Sequence, residues 1–107
     1  MFYKCDIELN KLKGSSRSAN LDRVRTIYTS IKKEGLKHSL LIDEKYNVYL
    51  GSTRLIALKL LRKKSNYIVS CIMYSKKSRE GKQLTDEKKL CNELGIQNIK
   101  DISRLFK

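Results

Sequence analysis

The stretch Tyr46-Asn47-Val48-Tyr49-Leu50-Gly51-Ser52-Thr53-Arg54-Leu55-Ile56-Ala57 changes its period in the middle. Up to Leu50, polar and apolar residues alternate, as in a strand with one buried face. Beyond Gly51 the apolar residues Leu55, Ile56, Ala57, Leu58, Leu60 and Leu61 leave few polar positions, which predicts a largely buried helix running to about Arg62. Gly51 marks the junction, and Ser52 is placed to cap the helix. Such a junction suits an anion. Free N–H groups at a helix start point outward, the macrodipole is positive there, glycine permits close backbone approach, and Arg54 adds a fixed charge with a planar fork. The same sequence also serves as a plain structural turn, with Arg54 paired to Asp43 or Glu44 to steady the strands before it.

Working outward, Leu40-Leu41-Ile42 and residues 46–50 are short apolar or alternating runs separated by Asp43-Glu44-Lys45, which reads as a β-hairpin. From Asn20 the period is helical: Leu21, Val24, Ile27, Tyr28 and Ile31 share one face, Asn20 is an N-cap, Asp22 suits the first turn, and Gly35 follows Lys32 and Lys33 as a stop. Arg23, Thr26 and Ser30 form a second stripe on that helix, either a solvated surface or a set of phosphate contacts. Tyr3 to Leu12 begins as a strand and is broken at Lys13-Gly14-Ser15-Ser16, and Tyr67 to Met73 is a further strand. Strand, helix, hairpin, helix and strand in that order predict an α/β (α+β) domain over residues 1–74, with a small mixed sheet of about four strands covered by helices.

Residues 75–83 read as a polar, basic linker, and residues 84–107 as a helical appendage with helices near Asp86 to Leu94 and Asn98 to Phe106. A Gly-containing turn joins them at Gly95-Ile96, so the pair is either a packing appendage or a brief helix-turn-helix.

Composition narrows the function classes. Of 107 residues, 24 are Lys or Arg and 11 are Asp or Glu, a formal charge of +13, which favours nucleic acid, nucleotides, anionic membrane surfaces or acidic proteins as partners. No run approaches about 18 consecutive apolar residues, so no membrane span is expected. The first residues, Met-Phe-Tyr-Lys-Cys-Asp, lack a signal-peptide core, so an intracellular, cytoplasmic location is expected. Cys5, Cys71 and Cys91 are few, far apart and in no CxxC pair, which points to reduced thiols and to neither a disulfide framework nor a zinc site. His38 is the only histidine, which excludes multi-histidine metal sites.

From about Asp6 to Met73 the sequence resembles the N-terminal domain of the ParB partition proteins, within the larger ParB/sulfiredoxin-like fold. The resemblance rests on the opening strand, Arg17, Ser30-Ile31-Lys32-Lys33-Glu34-Gly35-Leu36 ahead of Leu40-Leu41-Ile42, and Gly51-Ser52-Thr53-Arg54-Leu55-Ile56-Ala57 ahead of the Ile68 strand. In partition proteins the last motif reads Gly-Glu-Arg-Arg with an Ala three places on and cradles the phosphates of CTP; in sulfiredoxins it reads Gly-Cys-His-Arg and binds ATP. The resemblance implies nucleotide or phosphate binding by Gly51, Ser52, Thr53 and Arg54, joined by Arg23, Thr26 and Ser30, with a nucleoside triphosphate and Mg as the implied cofactors.

The departures are specific. Ser52 stands where sulfiredoxin has its reactive Cys, so that redox chemistry is not implied. Ser52 and Thr53 also replace the Glu and first Arg of the partition motif, removing an acidic group near the metal and one cation. The free-serine kinases of this fold use a Glu just after the first strand, and Lys13-Gly14-Ser15-Ser16 offers none. The sequence ends near where a partition protein's DNA-reading domain begins, so a stand-alone domain is expected. The leading expectation is therefore a ParB-like domain binding a nucleotide or nucleic-acid phosphate, an accessory in the DNA metabolism of a virus or mobile element. A ParB-like nuclease or nucleotide hydrolase is an alternative, with Asp43 and Glu44 as its nearest carboxylates. The other is a non-catalytic module using its basic surface on an acidic protein.

Overall fold

Alternate residues of the central strands feed two different cores. In β4 (Ile68–Tyr74), Val69, Cys71 and Met73 face one cluster and Ile72 faces another; in β2 (Leu40–Ile42), Leu40 and Ile42 join the first and Leu41 the second. Strands buried on both faces read as continuous apolar runs, as these do. The computed structural model describes residues 1–14, 20–61, 67–77 and 82–103; Arg17, the middle of the basic connector and the last residues of the chain lie outside them.

The remaining strands are β1 (Phe2–Glu8), β3 (Val48–Leu50) and β5 (Lys82–Leu84), and the sheet order is β3-β2-β4-β1-β5. Only β2 and β4 are parallel among these pairings; β1–β4, β1–β5 and β2–β3 are antiparallel. The sheet is thus mixed, as expected, with five strands where about four were expected. The additional one is β5, whose three residues contain a single apolar side chain and so carry no alternation to detect.

The hairpin has a bulge. Ile42 pairs with Val48 but Leu41 pairs with Leu50, so Tyr49 is an extra residue on β3. Val48 therefore faces the first core beside Ile42, and Leu50 faces the second beside Leu41.

Helices α1 (Leu21–Glu34) and α2 (Ser52–Leu61) cover the first face. Asn20 caps α1 through its Oδ1, which accepts the N–H groups of Asp22 at 2.9 Å and Arg23 at 3.3 Å, and Gly35 ends it at φ 78°. Val24 and Ile31 are buried and Ile27 and Tyr28 pack beside them against Leu55, Ala57 and Leu58 of α2. Leu21, on the same stripe but in the first turn, is 73% exposed.

The second face is covered by α3 (Glu87–Leu94) and α4 (Lys100–Ser103), whose Leu90, Leu94 and Ile102 pack on Leu41 and Ile72. Burying three large side chains contributes about 1.5–3 kcal/mol each, so these helices supply a second core to the same sheet. Gly95 closes α3 in the left-handed conformation at φ 72°, ψ 29°, and a Cβ there would lie 2.7 Å from the His38 ring. The structure therefore supports packing for this helix pair; the end of the second expected helix, up to Phe106, lies outside the described residues.

Candidate phosphate-binding turn

Gly51 is shaped by two constraints. Its φ is +100°, a conformation that residues with a Cβ rarely adopt, and an added Cβ would fall 2.4 Å from Leu40 Cδ2 and 3.4 Å from Arg54 Cζ and Nε. The backbone here passes against β2 on one side and the Arg54 guanidinium on the other.

Gly51, and not Ser52, is the cap of α2. The Leu55 N–H donates to the Gly51 carbonyl at 2.9 Å, which makes Ser52 the first helical residue. Glycine is an accepted cap because it reaches the non-helical backbone angles without strain. The N–H groups of Ser52, Thr53 and Arg54 are left over by helix geometry and find no hydrogen-bond partner among the described residues; neither do the Ser52 and Thr53 hydroxyls. All three residues are half-buried.

Arg54 points back toward the start of β2. Its Nη1 donates to the carbonyls of His38 at 3.2 Å and Ser39 at 3.4 Å. Burial pushes its pKa below the usual guanidinium value, which leaves it charged all the same. It forms no ion pair among the described residues, and its Nη2 and Nε carry no hydrogen bond there.

The alternative pairing to Asp43 or Glu44 is not what the structure shows. Both sit at the hairpin tip, at the far end of β3 from Gly51. Asp43 accepts the Lys45 and Asn47 N–H groups, each at 2.9 Å, as well as Asn47 Nδ2 and the Tyr49 hydroxyl, each at 3.0 Å. Glu44 accepts the Ser75 hydroxyl at 2.8 Å and the Lys76 N–H at 3.2 Å. Asp43 is thus occupied in holding the hairpin and Glu44 in tying its tip to the segment after β4, and among the described residues no three Asp, Glu, His or Cys side chains gather as a metal site.

The α1 stripe is exposed throughout: Arg23, Thr26 and Ser30 all face solvent. The Thr26 hydroxyl donates to the Asp22 carbonyl of its own helix at 2.9 Å, which leaves its oxygen as an acceptor only while that bond holds. Helices α1 and α2 pack together, yet no hydrogen bond or ion pair joins Arg23, Thr26 or Ser30 to residues 51–54. The carbonyls of residues 38 and 39 were not legible as partners of Arg54, because only the tertiary approach of β2 to α2 creates that contact.

No protein-family model matches this sequence, and no curated protein matches it. Solved structures do. The C2221 form of a Pnob8-like ParB-N domain superposes with a TM-score of 0.57 at 23% identity, over 69% of this chain and 30% of that one. A second structure, of the pNOB8-like ParB N-domain, gives a TM-score of 0.55 at 23% identity, over 69% of this chain and 28% of the other. The fold is that of a ParB N-domain. The match spans less than a third of either neighbour's length. No helix among the described residues is long and apolar enough to cross a membrane.

Proposed function

We propose that this chain is a ParB-N-like domain that binds a phosphate group of a nucleotide or of nucleic acid at Gly51, Ser52, Thr53 and Arg54, as an accessory to the DNA metabolism of a virus or mobile element. The observation that carries the reading is the set of three N–H groups at the start of α2 with no partner among the described residues, beside a guanidinium with two nitrogens that make no hydrogen bond there. The ParB N-domain fold and the charge of +13 support it. Arg23, Thr26 and Ser30 would add contacts from α1.

The turn fits a phosphate better than it fits a metal. It offers hydroxyls and backbone donors but no carboxylate, and those of Asp43 and Glu44 are engaged at the other end of the hairpin. Binding therefore does not require Mg²⁺ to be held by a protein carboxylate, and any Mg²⁺ would arrive on the triphosphate.

The test is a thermal-shift screen of ATP, CTP, GTP, their diphosphates and short DNA, with and without Mg²⁺, on the wild type and Arg54→Ala. A ligand that binds only the folded state raises its melting temperature. Loss of a charge-assisted contact of about 1.5–3 kcal/mol should weaken affinity roughly ten-fold to a hundred-fold. Equal shifts for both proteins with every ligand would place the site elsewhere.

A further inference from the structure

Four lysines far apart in the sequence converge on one groove. Lys4 of β1, Lys82 of β5, Lys89 of α3 and Lys37 of the loop after α1 line a shallow cavity of about 480 Å³, together with Leu84, Asn92 and Glu93. Lys4 and Lys82 are register partners across β1 and β5, so two like charges stand directly opposite on one face of the sheet. That arrangement is destabilising unless something negative lies over it.

The described residues supply little of that negative charge. Lys4 pairs with Glu93 at 3.1 Å and Lys37 pairs with Glu34, both at the surface, where such pairs contribute about 0–1 kcal/mol and yield to a denser anion. Lys82 and Lys89 have no ion-pair partner among the described residues. Among the described residues, four lysines against two carboxylates leave an excess of two positive charges.

We infer that this groove is a second anion site, separate from the turn at Gly51, and that it holds the sugar-phosphate backbone of a nucleic acid. Among the described residues the lining has no aromatic side chain on which a base could stack, which disfavours a free nucleotide and base-reading single-strand recognition. Among the described residues its charged lining is mostly lysine and includes neither an aromatic residue nor an arginine, whereas protein interfaces are enriched in those and depleted in lysine. Flexible ammonium groups in an open groove suit a repeating phosphate charge that is held without being read.

The experiment compares the wild type with the exposed double variant Lys82→Gln/Lys89→Gln, and with Arg54→Ala, in titrations of a short mixed-sequence DNA duplex and a single-stranded RNA over a range of KCl. Melting temperature serves as the folding control. Each lost phosphate contact lowers the slope of log affinity against log salt by about 0.9 on duplex DNA and about 0.7 on a single strand. The double variant should therefore lose roughly two such contacts, a drop of about 1.8 or about 1.4, and the probe that shows it identifies the source of the backbone. Its melting temperature should not fall below that of the wild type, since the variant removes one of two facing like charges, and its thermal shift with nucleotides should stay as in the wild type. An unchanged slope on both nucleic acids overturns the inference, as does a loss of poly-glutamate binding with nucleic-acid binding intact, which would assign the groove to an acidic protein. Because the groove is read by the slope change of Lys82→Gln/Lys89→Gln and the turn by the changes in Arg54→Ala, either site can fail without the other.

Discussion

Arg54 and Glu93, on helices that cover opposite faces of the sheet, hold the same residue: Arg54 Nη1 donates to the Ser39 carbonyl at 3.4 Å, while the Ser39 N–H donates to the Glu93 carbonyl at 2.7 Å. The first residue before β2 is thereby clamped between α2 and α3. The Ser39 hydroxyl adds bonds to Ser70 Oγ at 2.9 Å and Glu93 Oε2 at 3.4 Å. Arg54 thus has a structural duty besides the one proposed toward phosphate.

That double duty predicts a divided outcome for the conservative variant. Arg54→Lys keeps a charge but cannot bridge two carbonyls and a ligand with a planar fork, so it should recover only part of the phosphate affinity lost in Arg54→Ala. Both variants should also be less stable by about 1 kcal/mol, the worth of the bond to the loop. Urea unfolding beside ligand titration separates the two effects.

Gly51→Ala should be strongly destabilising. The backbone at φ +100° and the 2.4 Å approach to Leu40 leave no room for a methyl group. A loss of about 1–3 kcal/mol is expected from strain at such a position. A melting temperature within a degree or so of the wild type would show that the turn relaxes freely.

Ser52→Ala should barely change stability, because Gly51 occupies the cap and the Ser52 hydroxyl makes no hydrogen bond among the described residues. Asn20→Ala, at a true cap with two bonds, should cost about 1 kcal/mol. Equal losses from the two would mean that the Ser52 side chain caps α2 after all. Ser52→Ala should weaken phosphate binding modestly, by about 1 kcal/mol, and no covalent adduct should form on Ser52.

Asp43 sets an acid limit. Burial pushes its carboxyl up, but hydrogen bonds from the Asn47 side chain and backbone, from Tyr49 and from the Lys45 backbone outweigh burial and hold it below the usual range. A lowered folded-state pKa gives stability that is present above about 4, the unfolded value, and is lost as pH falls through the folded one. Asp43→Asn should remove that dependence and lower stability at neutral pH, measured by urea unfolding from neutral to acid pH.

The thiols should be sluggish. Cys5 and Cys71 are cross-strand partners on β1 and β4. Burial pushes Cys5 up to about 11, with the Asp6 carboxylate adding to it, and burial pushes Cys71 up to about 12, with Cys5 and Asp6 adding to it. Alkylation at neutral pH should be far slower in the folded than in the unfolded protein. Above about 8.5 the unfolded thiols lose protons that the folded ones keep, so stability should decline from there as pH rises toward the folded values. The variant Cys5→Ala/Cys71→Ala should flatten that decline.

Much of the first layer was legible because its signals are local. Asn20, Gly35 and the stripe through Ile31 define α1 without reference to anything else, and the change of period at Gly51 defines α2. The second layer was legible only as helices. Leu90, Leu94 and Ile102 show an apolar side, but nothing local says that Leu41 and Ile72 are what they cover. The site divides in the same way: the open N–H groups follow from strand, glycine and helix in sequence, whereas the bonds from Arg54 to residues 38 and 39 follow from packing. The lysine groove left only a trace, the net charge, since its four members come from four separate elements.

The bulge at Tyr49 gives β3 a spare residue. In a regular hairpin every inserted or deleted residue swaps the layers that all later side chains of the strand enter, so strand length is normally held rigid. Here Val48 and Leu50 already enter opposite layers, although two positions apart. Removing Tyr49 would leave Leu41 opposite Leu50 and keep Gly51 and α2 on their own side, with loss of the Tyr49 side chain's contacts, its bond to Asp43 among them. The segment between the hairpin tip and the glycine turn can therefore shorten by one residue at this position without redirecting the turn, an allowance in chain length that a regular strand would lack.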